Sequence, residues 1–228
     1  MKKRIDTLRA IAFDFDGVIL ESVDIKTQAF LALYAAYPDK LPEIHAYHLN
    51  NAGISRYVKF EHIQTKILGL AYTDKDRAEQ SAEFARLTHE QILRCPEVTG
   101  AAALLPALGG RVLRIVVSGT PQDELRTIVA DRGMAAWFDE VWGTPRTKPE
   151  ILREILKTHA LDASSVLMVG DGMSDYQAAR EVGVRFLGRE KDSTFADAAV
   201  EKVRDLKEMG DWLEGADNRP STTDHRCC

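Results

Sequence analysis

The chain has 228 residues, 45% hydrophobic and 29% charged, with a formal net charge of −5. That is enough apolar material for one substantial core, alone or with a smaller satellite. The acidic balance excludes the basic face typical of nucleic-acid and membrane-surface proteins, and no apolar run approaches the roughly 20 residues of a membrane span.

The N-terminal cluster Lys2-Lys3-Arg4 is short and reads as solvated surface. Asp6, Arg9, Asp14 and Asp16 interrupt any signal-peptide core behind it. The three cysteines, Cys95, Cys227 and Cys228, form neither a disulfide framework nor a metal-ligand spacing. A reducing, cytoplasmic setting is expected.

The first strong element is Ala10-Ile11-Ala12-Phe13, a short apolar run that stops at Asp14-Phe15-Asp16-Gly17. It reads as a buried strand delivering carboxylates at its C-terminal end. From about residue 24 to 94 the pattern turns helical. Ala29, Phe30, Leu33, Tyr34 and Tyr37 recur at helical spacing before Pro38, and Tyr57, Phe60, Ile63 and Ile67 form a second stripe closed near Gly69. A third helical run covers 75–93.

Strand–helix alternation follows. Thr99 is placed to cap a helix through Ala101 to Leu108 that Gly109-Gly110 ends. Strands are expected over 113–117, 138–142, 166–169 and 184–187. Helices are expected over 123–131, from Pro149 onward, and over 175–181. The polar segment 215–228 is expected to be a disordered tail, with Cys227-Cys228 part of it rather than a lipidation site. The alternation predicts an α/β fold, a parallel sheet with helices on both faces. Ligands then bind beyond the carboxyl ends of the strands. Asp14, Ser118 and Asp171 all fall at such ends, so three distant segments converge on one rim.

Asp14 and Asp16 lie two apart, on one face of an extended chain. With Asp171 and Asp175 they gather four carboxylates whose mutual repulsion a hard divalent cation relieves, and Mg2+ is the usual choice beside phosphate. Taken alone, Asp175 reads equally well as a helix-start residue. Ser118, Gly119 and Thr120 offer donors and close backbone approach to a phosphate oxygen. Lys148 supplies a compact positive charge.

These segments resemble the four motifs of the haloacid dehalogenase superfamily. They are Asp14-Phe15-Asp16-Gly17-Val18-Ile19, Ser118-Gly119-Thr120, Lys148-Pro149 and Gly170-Asp171-Gly172-Met173-Ser174-Asp175. The nearest subgroup in appearance is that of phosphoglycolate phosphatase and β-phosphoglucomutase. The resemblance implies a Rossmann-like core over 1–21 and 95–214, with a helical cap inserted over 22–94. It implies that Asp14 attacks phosphorus and forms an aspartyl-phosphate, while Asp16 protonates the leaving oxygen and later activates water. It implies magnesium held by Asp14, the backbone carbonyl of Asp16 and Asp171, with Asp175 supporting a magnesium-bound water or orienting Lys148. Gly53-Ile54-Ser55-Arg56 is similar to a substrate-contacting cap loop, which makes Arg56 a candidate for a second anionic group; the alternative is an ordinary helix start with Arg56 solvated. Lys26, shortly after the first motif, is a candidate to face the cleft, but a solvated surface is the better reading of it, and His45, His48, His62, His89 and His159 show no ligand spacing.

The expected activity is hydrolysis of a small phosphorylated metabolite by a monomer or homodimer with no nucleic-acid or membrane partner. The rivals are a phosphomutase of the β-phosphoglucomutase type and a non-catalytic phosphate- or partner-binding protein on the same fold. Asp16 argues against a dehalogenase, which replaces it.

Overall fold

Ala10–Phe13 (β1) is buried at all four positions because strands lie on both sides of it and helices cover both faces. In the computed structural model, which describes residues 3–191 and 194–215, six parallel strands run in the order β3-β2-β1-β4-β5-β6. The others are Leu113–Pro121 (β2), Glu140–Thr144 (β3), Val166–Gly170 (β4), Arg185–Arg189 (β5) and Glu201–Val203 (β6). Ala10 is in register with Leu113 on one side and Val166 on the other. The chain builds outward from β1 through β2 and β3, then crosses to β4. The strand order therefore reverses beside β1, at the position where open α/β sheets bind ligands.

The two-residue alternation of strands sorts the apolar side chains into two layers. Ile11, Phe13, Val116, Leu167 and Val169 face one layer, packed by Ala101–Ala107 (α5), Gln122–Asp131 (α6) and Leu206–Leu213 (α9). Ala10, Ala12, Ile115, Val117 and Met168 face the other, packed by Lys148–Thr158 (α7) and Met173–Val182 (α8). A third cluster lies between β1 and β2 in sequence. There Phe30, Tyr34, Ile44, Phe60, Ile63 and Phe84 hold together Val23–Leu33 (α1), Leu41–Asn50 (α2), Arg56–His62 (α3) and Asp74–Arg94 (α4).

Several expectations shift. The helix with the first stripe ends at Leu33, and Pro38 opens a short 3-10 turn instead of closing it. The strand expected at 138–142 begins two residues later, at Glu140. Gly100, in the left-handed region at φ 88°, precedes α5 where Thr99 was expected to cap it. The Thr99 carbonyl instead accepts the amides of Leu206 and Lys207, at the start of α9. The separate helix α2, the edge strand β6 and α9 are not anticipated. Among the described residues, no helix is long and apolar enough to cross a membrane. Of the expected tail only Gly215 is described; the rest, with Cys227-Cys228, lies outside the described residues.

Candidate active site

Each predicted acidic or basic residue is set by the end of an element. Asp14 follows the last residue of β1, and its amide donates to the Val169 carbonyl at 2.9 Å, extending the ladder by one step. Asp171 follows β4 in the same way. Lys148 is the first residue of α7, which Thr147 and Glu150 start with a reciprocal capping box. A cation at the positive end of a helix dipole is disfavoured, and two carboxylates offset that cost. Lys148 Nζ lies 3.0 Å from Asp14 Oδ1 and 2.5 Å from Asp175 Oδ1. Asp175 also accepts the Gly172 amide at 3.1 Å, so it starts its own helix and fixes Lys148 at once. The helix-start reading of Asp175 holds, and the same carboxylate touches Lys148.

Ligand oxygens of Asp14, Asp171 and Asp175 lie within 4.8 Å of one another. Burial pushes the Asp14 carboxyl up to about 7; Asp175 and Asp16 add to this and Lys148 opposes it. Burial also raises Asp171 well above the ordinary carboxyl value, with Asp14 and Asp175 adding to it. Facing carboxylates that resist ionisation are a hard, all-oxygen donor set, and a divalent cation among them would lower both values. The residues therefore fit magnesium, held by Asp14 and Asp171 with Asp175 behind them. The Asp16 carboxylate is not in this cluster, so any share it has in a metal site falls to its backbone carbonyl. Gly17 is required beside them. Its φ is +75°, and a side chain there would run into the Asp171 carboxylate.

Asp16 turns the other way. Its carboxylate accepts from Ser22 at 2.6 Å, from Thr120 at 3.2 Å and from Lys26. Burial works to raise Asp16, but Lys26, Ser22 and Thr120 outweigh it and hold it below the ordinary value. Lys26 also donates to Thr120 Oγ1 at 2.7 Å, joining α1 to the end of β2. The sequence reading favoured solvent over the cleft for Lys26; the signal for the cleft was its place shortly after the first motif.

Asp14, Asp16, Asp171, Lys26, Gly119, Thr120 and Arg56 line one cavity of about 90 Å³, together with Phe30, His48, Lys59 and Phe84. Gly119 lets the segment Gly53-Ile54 descend onto β2, since a side-chain carbon there would sit 2.7 Å from the Gly53 carbonyl oxygen. Ser174 Oγ holds the same loop from the other side, donating to the Ala52 carbonyl at 2.9 Å. Ser118 is buried beneath the rim, and its Oγ accepts the Thr120 amide at 3.1 Å. Arg56 is not solvated. It is 4% exposed, stacks over Phe84 with its guanidinium carbon 4.5 Å from the ring centroid, and pairs with Glu124 at 2.6 Å. His48 and Lys59, both on the cavity wall, escaped the sequence reading.

A family model for haloacid dehalogenase-like hydrolases matches residues 8–183, which spans every segment just described. The chain belongs to the haloacid dehalogenase-like hydrolases. Among curated members of that family, it is 27% identical to a phosphoglycolate phosphatase of Rhodospirillum rubrum, over 90% of each chain. It is 29% identical to one of Vibrio parahaemolyticus, over 79% of this chain and 83% of that one. A crystal structure of a predicted phosphoglycolate phosphatase from Haemophilus somnus superposes with a TM-score of 0.71 at 17% identity, over 89% of this chain and 96% of the other. CbbY of Rhodobacter sphaeroides in complex with xylulose-(1,5)bisphosphate gives 0.70 at 15% identity, over 91% and 99%. At these identities the structural likeness shows the α/β fold alone, and the curated relatives carry phosphatase names.

Proposed function

We propose that this hydrolase is a magnesium-dependent phosphatase that acts on a small phosphorylated metabolite through a phosphoryl group carried on Asp14. The observation that carries the reading is the position of Asp14. It lines the cavity, touches the Lys148 ammonium at 3.0 Å and clusters with Asp171, while Asp16 lines the same cavity but is held by separate partners.

In the first step an Asp14 carboxylate oxygen attacks phosphorus, the ester P–O bond breaks, and the leaving oxygen takes the proton held on Asp16. In the second, water attacks the aspartyl-phosphate, Asp16 takes its proton back, and the P–O bond to Asp14 breaks to release inorganic phosphate. Lys26 holds Asp16 below the ordinary carboxyl value. A doubly negative phosphate beside it raises it again, so one group can give and then accept the proton. Lys148 and the donors at Ser118, Gly119 and Thr120 offset charge on the phosphoryl oxygens. Magnesium, held by Asp14, Asp171 and the backbone at Asp16, would supply further charge neutralisation there. Segment 22–94 serves as the cap over a core formed by 1–21 and 95–214, and its loop at Gly53-Ile54 excludes bulk water.

The small cavity and the phosphatase names of the curated relatives support a compact substrate. The cysteine count supports a cytoplasmic setting, and the acidic surface supports a small-molecule partner rather than nucleic acid. The test is phosphate release from a panel of phosphorylated metabolites, with magnesium and with excess chelator. Magnesium-dependent release from a narrow set is expected. Turnover that requires a bisphosphate activator would favour mutase chemistry, and no release at all would overturn the reading.

A further inference from the structure

Asp14 makes the last ladder bond of β1, and residues 15–21 then run outside the named strands. Within this turn the Gly17 amide donates to the Leu20 carbonyl at 2.8 Å, and the Leu20 amide to the Phe15 carbonyl at 3.1 Å. Among the described residues no backbone amide donates to the Asp16 carbonyl. Its direction is set by the two peptide groups that flank Gly17. The first is its own, held at the Gly17 amide. The second ends in the Gly17 carbonyl, and a glycine at φ +75° restrains that group only weakly by itself.

Arg189 supplies the missing restraint. It is the last residue of β5, only 7% exposed, and its Nη1 donates to the Gly17 carbonyl at 3.2 Å. Its Nε donates to the Arg204 carbonyl at 2.9 Å, just past β6, and its Nη2 pairs with Glu21 Oε1 at 2.6 Å. One planar guanidinium thus joins the turn after β1, the end of β6 and Glu21, where the chain enters segment 22–94. A rigid fork of donors can span three such partners; a single ammonium cannot.

The sheet sets where this fork stands. Gly170 of β4 is in register with Gly188 of β5, so Asp171 and Arg189 are the next residues on adjacent strands. The β4–β5 ladder therefore fixes Arg189 relative to Asp171, and the guanidinium passes that position on to Gly17. Gly17 in turn lies directly against Asp171, whose carboxylate occupies the space a side chain at Gly17 would need. Burying an arginine is costly unless its charge and donors are met, and an apolar residue would close this end of the sheet without that cost.

We propose that Arg189 is a positioning residue, which holds the Asp16–Gly17 backbone against Asp171 and so sets the geometry in which these two segments take a divalent cation. The inference rests on the magnesium-dependent phosphatase reading and deepens it, since it names what aligns the two segments that carry the metal. Arg189 itself touches neither metal nor substrate.

The test is calorimetric titration of magnesium into full-length wild type, Arg189→Met, Arg189→Lys and Glu21→Gln, with a thermal melt of each. Arg189→Met is expected to raise the magnesium Kd by about 10- to 100-fold, the range for losing an outer-shell partner of a metal site. Arg189→Lys keeps the charge beside Glu21 but cannot also span to Gly17 and Arg204, so it is expected to weaken magnesium in the same direction, and it carries the test if Arg189→Met does not fold. Glu21→Gln breaks the same ion pair but leaves the contact to Gly17. It is expected to lower the melting temperature and to leave the magnesium Kd within about threefold of wild type. With para-nitrophenyl phosphate at saturating magnesium, the folded Arg189 variants are expected to lose kcat with KM within about twofold of wild type. An unchanged magnesium Kd in a folded Arg189 variant, or an equal loss in Glu21→Gln, overturns the proposal and leaves the phosphatase reading intact. If wild type binds magnesium but releases no phosphate from any ester, that reading fails and the proposal is judged on the calorimetry alone. A wild type that binds no magnesium overturns both.

Discussion

Arg56 on α3 and Glu124 on α6 form an ion pair at 2.6 Å, tying the helical segment to a helix that packs on the sheet. The guanidinium is nearly dry and the carboxylate only partly exposed. Removing the carboxylate strands a buried charge, which is worse than never having had the pair. Glu124→Gln is therefore expected to cost about 1–3 kcal/mol of stability and to raise KM several-fold with a smaller change in kcat. Arg56→Ala should raise KM for the physiological ester more than for a generic aryl phosphate. Thermal melts and steady-state kinetics check both. An unchanged melt and KM in Glu124→Gln would show that the pair holds nothing in place.

Asp14→Asn is nearly isosteric and keeps the hydrogen-bonding shape beside Lys148. It is expected to lower turnover at least about 1000-fold while the protein still folds and binds phosphate esters. Mass spectrometry of wild type quenched during turnover should find the added phosphoryl group on the peptide carrying Asp14. Appreciable activity in Asp14→Asn would sink the covalent route.

The carboxylates were legible because a short buried strand cannot hide a charge, so an apolar run that ends abruptly on aspartate marks its own functional end. The helical run between β1 and β2 was legible from its spacing, and the sheet from alternation. What escaped depends on tertiary contact. Lys26 reaches Asp16 through the direction in which α1 leaves the first motif. His48 and Lys59 meet only because α2 and α3 pack against each other around Phe30. Strand β6 is three residues long, with exposed Glu201 and Lys202, so its pairing with β5 leaves no apolar signature.

Lys26 is the largest influence that lowers Asp16. With Lys26→Met the Asp16 carboxyl loses that support and burial acts unopposed by charge, so its pKa rises. The limb of the kcat/KM profile assigned to Asp16 should move to higher pH, and kcat at neutral pH should fall about 10- to 100-fold. A lower kcat with an unmoved profile would assign Lys26 to packing rather than to proton transfer.

Magnesium should raise the melting temperature of wild type at neutral pH, because a ligand that binds only the folded state stabilises it by mass action. Asp171→Asn should abolish that shift. It should also raise the melting temperature of the metal-free protein. Burial and Asp14 lift Asp171 above its unfolded value of 3.8, so the metal-free fold loses stability as pH climbs from there. A magnesium shift that survives Asp171→Asn would remove Asp171 from the metal site.

Lys59 gives a prediction that needs no substrate. Burial, with Lys26 and Lys148 adding to it and Asp16 opposing, pushes Lys59 from 10.5 down to about 7. Between those values the unfolded chain holds a proton that the folded chain does not, so this residue's penalty shrinks as pH rises and is complete below pH 7. Lys59→Met is accordingly expected to be more stable than wild type by a few kcal/mol at and below neutral pH. The gap should close as pH approaches 10.5. Denaturant unfolding of both proteins from pH 6 to 10 measures the difference directly, and every other titrating group cancels in it. A gap independent of pH would mean that the lysine is neutral or solvated throughout.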